Sequence, residues 1–390
     1  MIIDELRIVG STQTNVVMAA ELVRVCKRAL KVRPPEPRKE GLGQLVLPFD
    51  PDLAWAATTY LRTPTRVLWD VYRSKAVRLE ALYDDLMTDI AGDARKLWRD
   101  GDGISVEARR VEEFAAGERQ IVGTVKNALL DGAHRRGLQL HVDPERPAMR
   151  WVARLDDNNE LVVSIDLGGG SLSQRGWRRD AGAAPLREHL AAVLLMLCRY
   201  DSRNDVLVDP MCGAGTIPIE AIHAARVTPR DVPTLTALGM GRAAEPLFPD
   251  ADPIAIGCDL DLESLAAARD NARAAGVKVT WQRGDVATLK PEAIAEIVRE
   301  HGREPGGGLI ISNPPYGERL NEHDLEDIYQ ALGTTLRRFG RGAAAGSWRA
   351  GFLVGSPMFE EVMFHAIGRP RIKKPLANAN LRAYFYLWDL

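Results

Sequence analysis

Val206-Leu207-Val208-Asp209-Pro210-Met211-Cys212-Gly213-Ala214-Gly215-Thr216 decides the fold of this 390-residue chain. A β-favouring apolar run ends in an aspartate, a loop with two glycines follows, and Thr216 opens a helical pattern. That is how the first strand-to-helix unit of an open parallel sheet reads. Its glycines let backbone approach a ligand at the sheet's carboxyl edge. A dinucleotide loop would need a third glycine where Pro218 stands, and a P-loop would need Gly-Lys-Ser/Thr, so NAD and ATP are disfavoured.

Outward from this unit, short apolar runs alternate with helical patterns, the signature of a parallel α/β sheet. Further strands are predicted over Ile254 to Cys258, Val277 to Trp281, Leu309 to Ser312 and Gly351 to Val354, with a last pair near Arg371 and over Ala383 to Trp388. The clearest helix runs from about Leu262 to Ala275, started by Asp261 and stopped by Gly276. A Pro/Gly-punctuated stretch from Arg226 to Pro253 reads as an insertion at the edge of the site. The first ~170 residues differ, with strand-like Ile104 to Arg109, Met149 to Leu155 and Leu161 to Leu167, a turn over Asp156 to Asn159, and a helix from Ile121 to Arg135. An earlier unit of Leu6 to Val9, Val16 to Leu30 and Gln44 to Leu47 reads as a separate small α+β module.

The first four predicted strands of the α/β half end in residues able to do chemistry. Asp259 can accept hydrogen bonds from ribose hydroxyls, and Asp285 can take an adenine amino group, although either residue taken alone is more often a helix cap. The fourth strand ends in Asn313-Pro314-Pro315-Tyr316. An exocyclic amine on a base is a poor nucleophile because its lone pair is delocalised into the ring. The Asn313 amide oxygen and the Pro314 carbonyl can accept its two N–H bonds, turning the lone pair toward a sulfonium methyl. The prolines hold those acceptors still, and Tyr316 offers a ring for the base to stack on. Guanine N2 and adenine N6 suit this motif equally.

Other features carry less. Cys212 lies in the glycine loop with no histidine near it in sequence and reads as a small packing residue. His189 reads as a satisfied helix residue. The four cysteines form no Cys-x-x-Cys pair, which argues against zinc and disulfides, so no metal is expected. Composition, with 46% hydrophobic and 27% charged residues, is that of a soluble globular protein, and the lack of a long uncharged apolar run predicts a cytoplasmic one. A net charge of -2 does not advertise nucleic-acid binding, so any positive potential must be local. Basic clusters occur at Arg109-Arg110, Arg135-Arg136, Arg175 with Arg178-Arg179, Arg337-Arg338, and Arg369 through Lys374. The third interleaves Trp177, a combination able to meet phosphates and an unpaired base.

These residues resemble the THUMP-domain-containing RNA methyltransferases, above all the bacterial enzymes that make N2-methylguanosine in 23S ribosomal RNA. The similarity covers Ile104 to Arg110, Ile121 to Leu130, Ser164 to Gly168, Ser171 to Arg178, Pro185 to Ala191, Asp209 to Thr216 and Ile311 to Leu320, the last including Gly317-Glu318-Arg319-Leu320. It departs at Trp177, where the family often has Tyr, and at Asn378-Ala379, where it often has Asn-Gly. The resemblance implies an α/β Rossmann-like class I methyltransferase domain over 187–390, with a seven-stranded sheet whose last strand is antiparallel. Before it would come a ferredoxin-like module over 1–64, a THUMP RNA-binding domain over 65–170 and a linker over 171–186. S-adenosylmethionine (SAM) would be held by Asp209, Pro210, Cys212, Gly213, Gly215, Thr216, Asp259, Asp285 and Asn313, and RNA by Arg109, Arg110, Arg175, Trp177, Arg178 and Arg179. The expected partner is 23S rRNA. Methylation of tRNA guanine, adenine-N6 methylation of RNA or DNA, and a non-catalytic RNA-binding assembly factor are the alternatives.

Overall fold

A computed structural model describes residues 1–178, 186–316, 321–341, 347–377 and 382–390. The chain forms two compact units. The first contains β1 (Ile2–Val9), α1 (Asn15–Ala29), β2 (Arg38–Glu40), β3 (Gln44–Pro48), α2 (Pro51–Tyr60), β4 (Arg66–Ser74), α3 (Leu79–Gly92), β5 (Gly103–Arg109), α4 (Glu118–Arg135), β6 (His141–Val142), β7 (Met149–Leu155) and β8 (Leu161–Asp166). In the second lie α5 (Glu188–Leu197), β9 (Val206–Asp209) and α6 (Thr216–Arg226). The short α7 (Pro233–Ala237) belongs to the first unit, and the rest of the chain to the second. That remainder comprises β10 (Ile254–Asp259), α8 (Leu262–Ala274), β11 (Thr280–Arg283), a 3-10 turn (Val286–Thr288), α9 (Pro291–Glu300), β12 (Gly308–Ser312), α10 (Glu322–Arg341), β13 (Trp348–Val354), α11 (Pro357–Ile367), β14 (Ile372–Pro375) and β15 (Tyr384–Asp389).

One eight-stranded sheet, in the order β2-β3-β1-β4-β8-β7-β5-β6, runs through the whole first unit. The sequence reading separates residues 1–64 from 65–170; the structure corrects this, because β4 pairs antiparallel with both β1 and β8 and joins the two halves. Charge locks the seam. Asp70 on β4 accepts Arg7 Nε of β1 at 2.8 Å, Arg154 Nη2 of β7 at 2.7 Å and Ser164 Oγ of β8 at 2.6 Å. Both Arg7 and Asp70 are fully buried, and each has a second ionic partner, Glu40 for Arg7 and Arg154 for Asp70, so the seam is held by a network of charges in low dielectric.

The stretch read as an insertion at the site's edge divides. Residues 229–245 pack within the first unit, where Arg230 donates to the Thr58 and Leu61 carbonyls at 2.7 and 2.6 Å and Arg242 pairs with Asp52 and lies 5.2 Å from the Trp55 ring. Its anchor, α2, is short but buried from Leu53 to Tyr60, and Asp50 caps it by accepting the Leu53 N–H at 2.8 Å.

The second unit is built on a seven-stranded sheet in the order β11-β10-β9-β12-β13-β15-β14. Strands β11 to β13 are parallel, and β15 runs antiparallel between β13 and β14. One face is sealed by Ile294 and Ile297 of α9, Tyr329, Leu332 and Leu336 of α10, and Phe359 and Met363 of α11, against Val208, Ile256, Ile310 and Phe352 of the strands. Helix α8 starts as expected, with Asp261 accepting the Ser264 N–H at 2.9 Å. The strand expected from Val277 begins only at Thr280, because Gly276 and Val277 still donate to the last carbonyls of the helix, those of Arg273 and Ala272. Among the described residues, no helix is long and apolar enough to cross a membrane.

Candidate active site

In the second sheet, chain order reverses direction between β9 and β12, which leaves a crevice outside their carboxyl ends. Along that edge, in the strand order β11, β10, β9, β12, come Asp285, Asp259, Asp209 and Asn313. Asp209 is 2% exposed and its Oδ1 accepts the Met211 N–H at 3.2 Å. Burial, reinforced by the Asp259 charge, pushes its carboxyl up to about 7 against the opposing pull of hydrogen bonds from Ser312 and Met211. Asp259 spans the glycine loop, accepting the Gly213 N–H at 2.8 Å on one oxygen and the Asp261 N–H at 3.0 Å on the other. Asp285 is exposed and caps the 3-10 turn by accepting the Ala287 N–H at 2.9 Å.

The two loop glycines do different work. Gly213 has φ +50° and a β-carbon placed there would meet nothing within 4 Å, so its backbone is open to a ligand. Gly215 has φ +82°, but a β-carbon there would lie 2.6 Å from the Trp281 ring, so this glycine admits an indole rather than a cofactor. Asn271 of α8, itself fully buried, donates to the Ala214 carbonyl at 3.0 Å and steadies the loop from behind. Pro210 is buried, and the Thr216 hydroxyl accepts Arg178 Nη2 at 3.0 Å. Cys212 donates its N–H to the Cys258 carbonyl at 2.9 Å. Burial and the charges of Asp209 and Asp259 hold its thiol well above the usual range, so it stays protonated and is no nucleophile.

At the end of β12, Asn313 Oδ1 is buried and has no hydrogen-bond partner among the described residues. A buried amide oxygen left unbonded costs on the order of 1–3 kcal/mol, and such an atom marks where a donor arrives. The loop beyond it is held rigidly. Tyr329 of α10, fully buried and set edge-on to Phe359 with centroids 5.0 Å apart, donates its hydroxyl to the Pro315 carbonyl at 2.7 Å. Burial pushes that phenol up to about 12, so it remains a donor across the physiological range. Pro314 is buried, and half-buried Tyr316 lies against Gly355, where a β-carbon would stand 2.9 Å from its Cδ2 atom. Gly317 to Leu320 and Asn378-Ala379 lie outside the described residues.

The linker cluster is corrected. Trp177 is 4% exposed and packs on Ile219 of α6 and Ala272 of α8, so its ring is not available to a base. Arg178 donates to Glu188 at 2.8 Å and to the Leu186 carbonyl at 2.9 Å, and Arg175 pairs with buried Glu220 at 3.3 Å. An aromatic between arginines has the composition of an RNA contact, but here the arginines neutralise buried carboxylates and the ring fills a gap between helices. Arg179 lies outside the described residues. In the first unit, Arg109 and Arg110 are exposed, with Arg109 paired to Glu107 at 3.0 Å. His189 sits between the hydroxyls of Ser11 and Ser173, 2.8 Å from each, as a satisfied helix residue.

Sequence reading missed Tyr329, Gly355, Asn271 and Trp281. Only Asn271 had left a signal, as a polar residue inside the apolar stripe of Leu265, Ala268 and Ala272.

Residues 175–379 match the family model UPF0020, RMKL-like, methyltransferase domain. The chain belongs to this family. RMKL-like relatives include the ribosomal RNA large subunit methyltransferase K/L of Chromohalobacter salexigens, 32% identical over 344 residues that cover 79% of this chain and 43% of that protein. The same-named protein of Aeromonas salmonicida is 35% identical over 268 residues, covering 60% of this chain and 35% of its own length. The chain thus spans less than half the length of these relatives. In fold it is similar to SMU.472 in complex with SAH, with a TM-score of 0.77 and 22% identity over 99% of this chain and 97% of that one. The seven-stranded unit of this RMKL-like chain therefore has the class I methyltransferase fold.

Proposed function

We propose that this chain is a SAM-dependent methyltransferase that forms N2-methylguanosine in 23S rRNA, acting in the cytoplasm. One observation carries the reading: the buried, unbonded Asn313 Oδ1 at the carboxyl end of β12. SAM, once bound, supplies an electrophilic sulfonium methyl. The residues at the edge fit it: Gly213 leaves backbone uncovered, Asp259 lies across the glycine loop to meet a ribose, and Asp285 is exposed where an adenine amine would reach it. The rRNA substrate is taken from the names of the relatives, and guanine N2 from the resemblance of Ile311 to Leu320.

Asn313 Oδ1 accepts one N–H of the guanine amine and the Pro314 carbonyl the other. Those bonds hold the nitrogen's lone pair toward the methyl. Both acceptors gain strength as positive charge develops on the nitrogen, so their stabilisation is greatest in the transition state. Tyr316 offers its ring to a base taken out of its stack. As the nitrogen lone pair forms the N–C bond, the C–S electron pair would stay on sulfur and leave a neutral thioether, and the cationic amine would then lose one proton to water. Alignment alone can lower such a barrier by ~7–11 kcal/mol, so no general base of unusual pKa is required. The first unit, as a THUMP-containing module, would present the RNA.

Mass spectrometry of nucleosides after incubation with SAM and unmodified 23S rRNA or tRNA tests this. N2-methylguanosine in 23S rRNA is expected. N6-methyladenosine as the sole product, or methylation of tRNA alone, would overturn it. Asn313→Ala should abolish transfer with SAM affinity nearly unchanged, and an active variant would refute the acceptor role.

A further inference from the structure

The basic cluster from Arg369 through Lys374 has no part in the site described so far. Residues 369–384 hold five basic side chains and no acidic one, in a chain whose net charge is -2. Its first part runs away from the catalytic edge, where Arg371 pairs with Asp389, but Pro375 and the described residues 382–384 reach that edge. Because β15 is antiparallel to β13, its first residue, Tyr384, pairs with Val354 at the carboxyl end of β13. Continued past Asn313, the edge therefore reads Gly355, then Arg382 and Tyr384. Contact is direct at Gly355, where a β-carbon would lie 2.9 Å from both Tyr316 Cδ2 and the Arg382 carbonyl oxygen.

An open cavity of about 380 Å³ lies beyond that contact, lined by Gln13, Pro375, Leu376, Arg382 and Tyr384 among others. Tyr384 is 41% exposed, and the Lys373 ammonium stands 5.0 Å from its centroid. Lys373 is neutralised by Glu360 at 2.6 Å, whereas Arg382 is exposed with no acidic partner among the described residues. A cavity of this size with an open aromatic wall and an uncompensated guanidinium suits one unpaired nucleotide: a flat ring to stack and a phosphate to pair.

We propose that this cavity is the subsite for the RNA nucleotide adjoining the one whose amine Asn313 receives, with its base on Tyr384 and its phosphate at Arg382. This rests on the RNA reading above. It also supplies the aromatic and basic pair that the buried linker cannot offer.

The test uses the full chain with Tyr384→Ala, Tyr384→Phe and Arg382→Ala. Methyl transfer from tritiated SAM to a 23S rRNA transcript gives KM for RNA, calorimetry gives the SAM Kd, and a fluorescent single-stranded oligoribonucleotide gives the salt dependence of binding. Tyr384→Ala should raise KM for RNA about tenfold with SAM Kd unchanged, and Tyr384→Phe should restore it. Arg382→Ala should lower the slope of log affinity against log salt by about 0.7, one phosphate contact on a single strand. An unchanged RNA KM in Tyr384→Ala, beside an active wild type, would overturn the subsite alone. A wild type that methylates no RNA would overturn the functional reading and the subsite together. Equal losses in the Ala and Phe variants, or a weakened SAM Kd, would assign the hairpin a structural role and refute the proposal.

Discussion

Replacing Gly355 with alanine adds one methyl group at the point where the catalytic loop meets β13 and the approach to β15. The added carbon would lie 2.9 Å from the Arg382 carbonyl oxygen and 2.9 and 3.1 Å from Cδ2 and Cε2 of Tyr316. Carbon contacts are optimal at ~3.5–4.0 Å, so the overlap with the ring is roughly 0.5–1 Å. The φ of Gly355 is outside the left-handed region, so the effect is steric rather than one of backbone strain. The Arg382 oxygen is backbone at the entry to a paired strand and yields little. Tyr316 follows Pro315, whose carbonyl is held by Tyr329, so the ring turns out of place and strains the loop back toward Asn313. Overpacking of this size costs ~1–3 kcal/mol of stability. A displacement near 1 Å at the acceptors should cost up to ~100-fold in transfer. Single-turnover transfer from tritiated SAM to a 23S rRNA transcript should fall ~10–100-fold, while SAM Kd holds because Gly213 and Asp259 lie on the other side of Asn313. In a double-mutant cycle with Tyr316→Ala the penalty should shrink, since the atoms it collides with are gone. Full activity in Gly355→Ala, or strict additivity in the cycle, would refute the claim that Gly355 sets the position of Tyr316.

Three further outcomes follow from the same contacts. Tyr329→Phe removes the donor to the Pro315 carbonyl, so stability should drop by about 1 kcal/mol and kcat by more than KM; equal kcat would show that the hydrogen bond does not position the loop. His189 has its imidazole pushed down to about 3 by burial, so between pH 6.5 and 3 the unfolded chain binds a proton that the fold does not. Stability should therefore be full above about pH 6.5 and fall by up to ~1.4 kcal/mol per pH unit below it, with a shallower slope in His189→Gln; equal slopes in acid-titrated chemical denaturation would remove His189 as the cause. Trp177→Ala should cost ~3–5 kcal/mol in denaturant unfolding, and a stable variant with weakened RNA binding would restore the linker as an RNA contact.

The α/β half was legible because its signals are local. An apolar run stopped by Asp209, a glycine loop and a helix opened by Thr216 specify one βα unit without reference to anything distant. The acidic and amide strand ends could be placed at one edge because parallel strands put all their carboxyl ends there. What escaped depended on contacts far apart in sequence. Tyr329 is one more apolar-face residue of an amphipathic helix until β12 delivers a carbonyl to its hydroxyl. Nothing in composition separates the Trp177 that fills a gap between helices from the Tyr384 that faces solvent. The first unit was split for the same reason: β4 went unread, and without it the strands on either side had no common sheet.

The antiparallel β15 has a consequence for how such a site can recognise more than a single base. In a wholly parallel sheet, the catalytic edge receives only residues that follow strands, each on a loop that must turn at once into a helix. Such loops suit compact ligands because they are short and backbone-rich, as Asp209 to Thr216 is. A strand running the other way begins at that edge, so residues preceding it reach the site without a helix to start. Arg382 and Tyr384 occupy that position next to the end of β13, and the Arg382 carbonyl and the Tyr316 ring both border Gly355. The edge is thereby divided: acidic strand ends on the β10 and β11 side, where a cofactor's hydroxyls and amine would be met, and a basic, aromatic strand start on the β14 and β15 side, where a polyanion would be met. Asn313 stands between them. On the proposed reading, the methyl donor and the nucleic-acid strand would reach Asn313 from these two sides, so that the base nitrogen could be brought in line with the methyl–sulfur bond.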